Sequence, residues 1–205
     1  ARLEQAAQQA ELRSLRYQVN PHFLFNTLNS LSSLVMKDRR DEAEQMIMSL
    51  SNFYRTSLTG DPLDDVPLAE EVHLQKLYLD IEAVRFPDRL KTAIDIPPAL
   101  LNACVPGLIL QPVVENAIKY GVSRTAQPVE IRITAREDGD LMHINVTDDG
   151  PNPPGQGDGG SGIGLANVRD RLTARFGDRG RIVYGPRDAG GFAVLLTLPI
   201  IRRGC

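Results

Sequence analysis

The chain has 205 residues, of which 42% are hydrophobic, and its formal net charge at pH 7 is −3. This length suits one large domain or two small ones. The slight acidic balance gives no electrostatic basis for binding nucleic acid or an anionic membrane, and no apolar run approaches the roughly 20 residues needed to cross a bilayer. The two cysteines, Cys104 and Cys205, lie far apart in the sequence, so we expect no disulfide framework and a reducing compartment. Because the chain begins with Ala1 and shows no signal peptide, we interpret it as a piece of a longer protein.

Residues 1 to about 60 carry helical signals alone. One helix has an apolar seam at heptad spacing, formed by Leu24, Leu28, Leu31 and Val35. A second face repeats the spacing with polar residues, namely His22, Asn26, Asn29 and Ser33. A second amphipathic helix follows, marked by Ala43, Met46, Ile47, Leu50, Phe53 and Tyr54. These helices predict an antiparallel hairpin. A hairpin of this size buries its seam poorly, so we expect a homodimer in which two hairpins form a four-helix bundle.

Residues 61–205 mix helices with strands. The apolar stripe Leu74, Leu77, Ile81 and Val84 predicts a helix that ends by Pro87. Further helices are predicted from about Pro106 to Tyr120, with Gly121 as a cap, and from about Ile163 to Phe176. Strands are predicted at 90–96, 129–136, 140–148, 181–185 and 191–199, with a tight Asp138-Gly139 turn joining the second to the third. We therefore predict an α+β chain, in which the helical hairpin precedes an α/β sandwich with a mixed sheet and helices on one face.

Asp148 falls in phase with the apolar face of its predicted strand, which carries Met142, Ile144 and Val146. A carboxylate at the rim of a core is costly without a donor. A ligand such as the exocyclic amine of adenine would supply one. A turn aspartate that caps the following loop explains the same position, and the residue by itself favours that simpler interpretation.

Asn116 lies among apolar residues of a predicted helix, and Lys119 follows one turn later on the same side. An amide oxygen suits Mg²⁺, which keeps waters and substrate phosphates in its shell, and the lysine could meet the phosphates. A hydrogen-bonded core asparagine beside a solvated Glu115–Lys119 pair is the simpler interpretation.

Glycines at 159, 160, 162 and 164 precede the last predicted helix. Such a run lets backbone N–H groups approach an anion at a helix N-terminus. It is neither a Walker A loop nor a convincing dinucleotide fingerprint, and a glycine loop by itself is usually a flexible linker.

The order and spacing of these segments are more specific than any one of them. The motifs ENAIKYG (115–121), DDG (148–150), GSGIGLANVRDRL (160–172) and GFAVLLTLP (191–199) resemble the N, G1 and G2 boxes and closing strand of the GHKL, or Bergerat-fold, ATPases. The segment NPHFLFNTLNSL (20–31) resembles the histidine box of the LytS-type sensor histidine kinases. The stretch at 67–90 is also similar to the part of that family that joins the two domains. The resemblance covers about Leu12 to Pro199.

The resemblance implies a cytoplasmic kinase core of a two-component sensor that uses ATP and Mg²⁺. Residues 1–60 would be dimerisation and phosphotransfer helices, and residues 61–205 a catalytic ATP-binding domain. The homodimer would autophosphorylate one histidine and pass the phosphoryl group to an aspartate on a response-regulator receiver domain. The sensor region, and any membrane anchor of the parent protein, would lie in the absent N-terminal part.

The resemblance also implies residue roles by position. His22 is the phosphoacceptor. On the phosphate side, Asn116 ligates Mg²⁺, Lys119 reaches the phosphates, and Gly162 and Gly164 flank the triphosphate at the end of a lid of roughly residues 151–161. On the adenine side, Tyr120 packs near the ring, Asp148 accepts from the adenine amine, and Gly150 lets the backbone approach the ring.

The chain departs from the family pattern in two places. The second glycine of the G1 box is replaced, since Asp148-Asp149-Gly150 is followed by Pro151-Asn152. Phe23 stands where many histidine kinases have an acid that acts as base, so Glu115 is a candidate base if it faces the incoming imidazole.

Two further residues flank the histidine. Asn26, at i+4 from His22, could orient a water for dephosphorylating the regulator or could bond across the dimer. Pro21 should kink the helix beside His22 and so offer a bending point for signals.

Two alternatives stay open beside the kinase. The altered G1 box favours a nucleotide-gated dimerisation module that lacks kinase activity. An ATPase that uses water would want a catalytic acid one turn before Asn116, and Pro112 at that position argues against it.

Overall fold

The structure is a computed structural model that describes residues 20–59, 64–151 and 161–205. The chain divides into two compact units, Ala1–Thr59 and Gly60–Cys205. Among the helices of the described residues, none combines the length and the apolar character that a membrane span requires.

The first unit is a pair of helices, α1 (Pro21–Met36) and α2 (Arg40–Leu58). The Asn20 side chain caps α1 by accepting the Phe23 N–H at 3.2 Å. Pro21 occupies the first helical position, where its missing N–H leaves no bond unmade. The described helix begins at Pro21, after an extended Asn20 (ψ 105°), so no kink interrupts α1 beside His22. The predicted bending point toward an upstream helix concerns residues 1–19, which lie outside the described residues.

The two helices pack through a stripe other than the heptad seam. The rings of Phe23 and Phe53 meet edge to face with their centroids 5.4 Å apart. The buried residues are Phe23, Thr27 and Leu34 of α1 and Ala43, Met46 and Phe53 of α2. Leu28 and Val35 of the seam stay exposed, at 48% and 64%. The hairpin thus leaves much of the seam uncovered.

The second unit contains seven strands and three α-helices in its described part. In chain order the elements are β1 (Asp65–Pro67), α3 (Leu68–Arg85), β2 (Leu90–Asp95), β3 (Cys104–Pro106), α4 (Gln111–Asn116), a π-helix (Ala117–Val122), β4 (Val129–Asp138), β5 (Leu141–Asp148), α5 (Ser161–Phe176), β6 (Arg181–Pro186) and β7 (Phe192–Pro199), with short 3₁₀ turns at Pro98–Leu100 and Gly177–Arg179.

Five strands form a mixed sheet in the order β2-β4-β5-β7-β6, while β1 and β3 pair separately as a small antiparallel ribbon. In the large sheet β2 and β4 are parallel and the other pairs are antiparallel. Gly139 and Asp140 close the β4–β5 hairpin, one residue later than predicted, and Gly139 supplies the positive φ of 61° that this turn requires.

Strict alternation places one face of the sheet in the core. Along β5 the buried residues are Met142, Ile144, Val146 and Asp148, and β4 and β7 alternate in the same way. Helices of the unit pack on this face. The predicted α+β class with a mixed sheet is confirmed, and the alternation carries Asp148 into the core at the end of β5.

Three sequence expectations are wrong, namely the start of one helix, its cap and the absence of a disulfide. The helix expected from Pro106 to Tyr120 starts only at Gln111, since β3 extends to Pro106, and Gly121 lies inside the π-helix rather than capping a helix. Cys104 and Cys205 form a disulfide with their Cα atoms 5.8 Å apart. The fold brings together two cysteines that are 101 residues apart, because the Cys104 N–H donates to the Ile201 carbonyl and so places the C-terminal tail beside β3.

Candidate functional site

Asp148 is a buried carboxylate at the end of β5. Only 5% of the residue is exposed, and its Oδ1 accepts the Gly150 N–H at 3.0 Å. Burial raises the pKa of Asp148 to about 6, and the Gly150 N–H opposes that rise. Both interpretations of this residue find support here, since the carboxylate caps a turn and also lines a small cavity.

That cavity lies between the sheet and the helix of the ENAIKYG motif. Its walls come from three segments, and the lining residues are Val113, Asn116, Ala117, Val146, Asp148, Phe192 and Val194. Phe192 is a site residue that sequence reasoning missed. It pairs directly with Asp148 across β5 and β7, and the closing motif GFAVLLTLP was the signal that could have identified it.

Gly121 and Gly150 allow two backbone segments to meet beside Asp148. A Cβ on Gly121 would lie 2.8 Å from the Asp148 Oδ1, and a Cβ on Gly150 would lie 2.6 Å from the Gly121 Cα. Both positions therefore exclude a side chain. Gly121 belongs to the π-helix, a distortion that is often found at functional sites.

Asn116 is half-buried at the end of α4 and lines the cavity. Its Nδ2 is buried and has no hydrogen-bond partner among the described residues. A buried amide donor left unpaired costs free energy, which a bound acceptor such as a phosphate oxygen would offset. The amide oxygen at the same position suits a hard cation.

Lys119 and Tyr120 lie one turn further along. Lys119 is exposed, and its Nζ lies 4.9 Å from the centroid of the buried Tyr120 ring. The Arg124 guanidinium lies 4.8 Å from that ring. Two cations thus gather at the Tyr120 ring, which favours an anionic ligand near this end of the helix.

Gly162 and Gly164 lie in the first turn of α5, which begins two residues before the predicted start. A Cβ on Gly164 would lie 3.6 Å from the Cβ of Pro112 in α4. The fold therefore brings the second glycine motif next to the helix that carries Asn116. Most of the predicted lid, residues 152–160, lies outside the described residues.

Glu115 lies near the end of α4, where its charge raises the pKa of two residues of α3. It accepts the Gln111 Nε2 at 3.1 Å. Burial raises the pKa of Glu82 in α3 to about 7, Arg85 opposes that rise, and Glu115 adds to it. Glu115 also helps to raise the pKa of Tyr78, after burial and Glu82.

A buried polar stripe on α3 was also missed in the sequence. Its members, spaced at i, i+4, i+7 and i+11, are Glu71, Gln75, Tyr78 and Glu82, and none is more than 4% exposed. The signal was present, because this spacing places all four on one helical face. The sequence prediction of this helix rested on the apolar stripe Leu74, Leu77, Ile81 and Val84, which lies on a different face.

His22 is exposed on α1, and Asn26 lies beside it. The Asn26 Nδ2 is 3.1 Å from the His22 Nδ1 and 3.3 Å from its Nε2. The other two histidines are in the second unit. His73 is exposed, while the His143 Nδ1 lies 2.9 Å from the Thr197 hydroxyl.

The described residues fit a nucleotide with its metal better than a protein-bound metal. They contain no cluster of three His, Cys, Asp or Glu side chains that could hold an ion. A cation at Asn116 would take its remaining ligands from phosphate oxygens and water. The buried Asp148 carboxylate, the unpaired Asn116 donor and the two close glycines are the features that a nucleotide would use.

Two family models match the chain. The model described as "Histidine kinase" matches residues 10–90, and the model described as "Histidine kinase-, DNA gyrase B-, and HSP90-like ATPase" matches residues 106–202. The first includes His22, and the second includes the cavity and both glycine motifs.

Curated relatives match over most of this chain. Sensor histidine kinase YesM of Bacillus subtilis is 34% identical over 93% of the chain and 33% of its own length. Sensor protein LytS of Enterococcus faecalis is 30% identical over 94% of the chain and 34% of its own length. Sensor histidine kinase BtsS of Escherichia coli K12 is 40% identical over 83% of the chain and 30% of its own length. The chain spans about a third of the length of these relatives.

Solved structures match the fold. The catalytic domain of histidine kinase ThkA superposes with a TM-score of 0.52 at 17% identity, over 66% of this chain and 94% of that domain. The family models, the curated relatives and the predicted motifs agree. The chain belongs to the LytS-type sensor histidine kinases.

Proposed function

We propose that this chain is the kinase core of a two-component sensor, in which ATP bound in the second unit phosphorylates His22. The carrying observation is that the histidine kinase model covers an exposed His22 while the ATPase model covers a cavity with a buried carboxylate, Asp148. The relatives are named sensors and sensor histidine kinases, which supports the same activity here.

In the proposed nucleotide site Asp148 accepts a hydrogen bond from the adenine amine. Gly150 and Gly121 let the backbone approach the ring, and Tyr120 packs close by. Asn116 would hold Mg²⁺ through its amide oxygen, and Lys119 would meet the phosphates. Gly162 and Gly164 would flank the triphosphate. Magnesium would supply charge neutralisation at the phosphates, with Asn116 as its ligand from this chain.

The proposed reaction is an in-line transfer. A neutral imidazole is a competent nucleophile near neutral pH. A ring nitrogen of His22 forms the N–P bond as the bond between the γ-phosphorus and the bridging oxygen breaks, and ADP leaves with that electron pair. The imidazole proton passes to a base. Glu115 is our candidate, because the residue directly after His22 is Phe23 and not an acid.

The partners follow from the family. We propose a homodimer through the exposed seam of α1, and transfer of the phosphoryl group to an aspartate of a response-regulator receiver domain. The remaining two thirds of the relatives' length would correspond to a sensor region outside this chain.

Incubation with γ-labelled ATP and Mg²⁺ tests this function. We expect protein-bound label that is acid-labile and base-stable, as a phosphoramidate is, and absent from His22→Ala. His73→Ala is the matched control, since His73 is also exposed but lies in the second unit. Label that persists in His22→Ala would assign the phosphoacceptor elsewhere.

The altered G1 box favours a second candidate, a nucleotide-gated dimerisation module. The same experiment separates the two. ATP binding with no label in the wild-type chain would establish the module and exclude the kinase.

A further inference from the structure

Glu71 lies beneath the segment that leads into α4. Its carboxylate is buried, with 2% of the residue exposed, and each oxygen accepts one backbone N–H. Oε2 accepts from Leu108 at 2.8 Å, and Oε1 accepts from Leu110 at 2.7 Å. Glu71 is remote in sequence from every residue of the proposed nucleotide site, and these two hydrogen bonds connect it to the helix that carries Asn116.

The segment that Glu71 contacts combines an unfavourable backbone conformation with N–H groups that have no partner within a helix. Leu108 has a φ of 59°, a left-handed conformation that is unfavourable for a residue with a branched side chain. Leu110 is the residue immediately before α4, where backbone N–H groups have no partner within the helix. One carboxylate satisfies a donor in each place.

Arg171 of α5 holds the same segment from another side. Its Nη2 donates to the Gly107 carbonyl at 2.7 Å. Its charge lowers the pKa of Glu71, and Glu71 in turn raises the pKa of Arg171 against the effect of burial. The segment from Gly107 to Leu110 is therefore fixed by one charged group from α3 and one from α5.

These contacts connect the motif that carries Asn116 to the glycine-rich motif at the start of α5. Helix α4 ends at Asn116, six residues after Leu110, and α5 begins with the turn that contains Gly162 and Gly164. Because Gly164 also lies against Pro112, the start of α5 and the start of α4 are adjacent. A shift of the Gly107–Leu110 segment would displace Asn116 relative to Asp148.

We propose that Glu71 and Arg171 are positioning residues, which hold the Gly107–Leu110 segment so that Asn116 and the first turn of α5 face the same triphosphate. The inference rests on the proposed function, because it assigns these residues to the nucleotide site of that function. Neither residue touches the nucleotide. Both act through the start of α4.

The charge state of Glu71 gives the device a measurable signature. Burial raises its pKa to about 7, while the Leu110 and Leu108 N–H groups and Arg171 oppose that rise. The charged group facing it from α5 is Arg171, and Asp65 of β1 acts on Arg171 in turn. Both oxygens accept N–H groups, so the ionised form fits the geometry. Protonation would convert one acceptor into a donor that faces an N–H.

The test measures binding of a non-hydrolysable ATP analogue with Mg²⁺ to the full chain by calorimetry. We expect Glu71→Gln and Arg171→Gln to weaken binding about tenfold, which corresponds to about 1.4 kcal/mol. Glu70→Gln and Arg169→Gln are the matched controls, because both side chains are exposed neighbours on the same helices. We expect the control variants to bind as the wild type does.

A second readout separates positioning from simple stability. Wild-type affinity should fall as pH drops through about 7, whereas the affinity of Glu71→Gln should lack this component. Amide exchange at Leu108 and Leu110 should quicken in Glu71→Gln. Should Glu71→Gln fail to fold, Arg171→Gln and the wild-type pH profile of exchange at these two amides carry the test.

Unchanged affinity in both variants at temperatures where they are folded, with only a lower Tm, would overturn the inference and leave the kinase intact. Conversely, a wild-type chain that binds the analogue but never labels His22 would refute the kinase alone. The expected pattern across the four variants would still support the positioning role.

Discussion

Gly150 lies so close to Gly121 that a Cβ on Gly150 would be 2.6 Å from the Gly121 Cα and 2.8 Å from its carbonyl oxygen. Rotating a side chain cannot relieve a contact with backbone atoms. The two glycines thus set the distance between the π-helix and the end of β5. Asp148 lies at the same junction. Its Oδ1 is so close to Gly121 that a Cβ on that glycine would be 2.8 Å away.

Gly150→Ala should force these two segments apart. We expect a loss of about 1–3 kcal/mol in the free energy of unfolding, the usual cost of overpacking. We also expect nucleotide affinity to fall at least about tenfold, since Asp148 would move with the backbone. Urea unfolding and calorimetry measure the two effects. Gly185→Ala is the control, because a Cβ there meets nothing within 4 Å. An equal effect of both substitutions would refute the close-approach argument.

Asp148→Asn should change how stability depends on pH. The pKa of Asp148 is raised from 3.8 to about 6 in the folded chain, so the unfolded chain loses the proton first as pH rises. The contribution of this carboxyl to folding is therefore complete below about pH 3.8 and is lost as pH rises through about 6. A shift of about two pKa units corresponds to about 3 kcal/mol. The amide variant lacks this loss.

Urea unfolding of the wild type and Asp148→Asn between about pH 4 and pH 7.5 checks this expectation. The variant should gain stability relative to the wild type over that range. It should bind nucleotide more weakly at every pH, because the amide has one acceptor oxygen where the carboxylate has two, and the Gly150 N–H already donates to one of them. A stability difference that is independent of pH would contradict the raised pKa.

Charge on the exposed seam of α1 should disrupt the proposed dimer. Leu28→Lys combined with Val35→Lys replaces two exposed apolar side chains, at 48% and 64% exposure, with cations that would face their counterparts across the bundle. We expect sedimentation to show a monomer with the fold retained. Ser33→Lys adds charge to the polar face of the same helix and should leave the dimer intact. A dimer that survives the double substitution would place the interface elsewhere.

The Cys104–Cys205 disulfide should make stability sensitive to reductant. It closes a loop of about a hundred residues, for which chain entropy predicts a contribution of up to about 4.7 kcal/mol. We expect reduction to lower the Tm, and Cys205→Ser to lower it equally. Reductant should then have no further effect on Cys205→Ser. A wild-type Tm that does not respond to reductant would show that the bond contributes little in solution.

Strand positions were readable from the sequence because alternation reports burial directly. The phase of Met142, Ile144 and Val146 predicts that Asp148 lies on the buried face of β5, and it does. The role of Phe192 was not readable in the same way. It depends on the register between β5 and β7, and a register is a relation between segments that neither one encodes alone.

Two other features were beyond the pattern for physical reasons. Helix α1 carries two apolar stripes, and spacing cannot tell that the one with Phe23 faces α2 while the one with Leu28 stays exposed. The π-helix at Gly121 has no periodicity of its own. It shows only in the structure, where Gly121 packs closely against Gly150.

Asn26→Ala separates the two roles that remain open for Asn26. Its amide lies 3.1 Å from the His22 Nδ1, close enough to hold a water beside any group that approaches the imidazole. If it orients that water, the variant should dephosphorylate a receiver domain at least about tenfold more slowly, as lost positioning predicts, while still labelling His22. Asn29→Ala, on the same polar face, should leave the rate unchanged. If Asn26 bonds across the dimer instead, the weakened dimer of the variant should dissociate at a higher protein concentration than the wild-type dimer, with its dephosphorylation rate intact. The two outcomes move different observables, so a single variant decides between them.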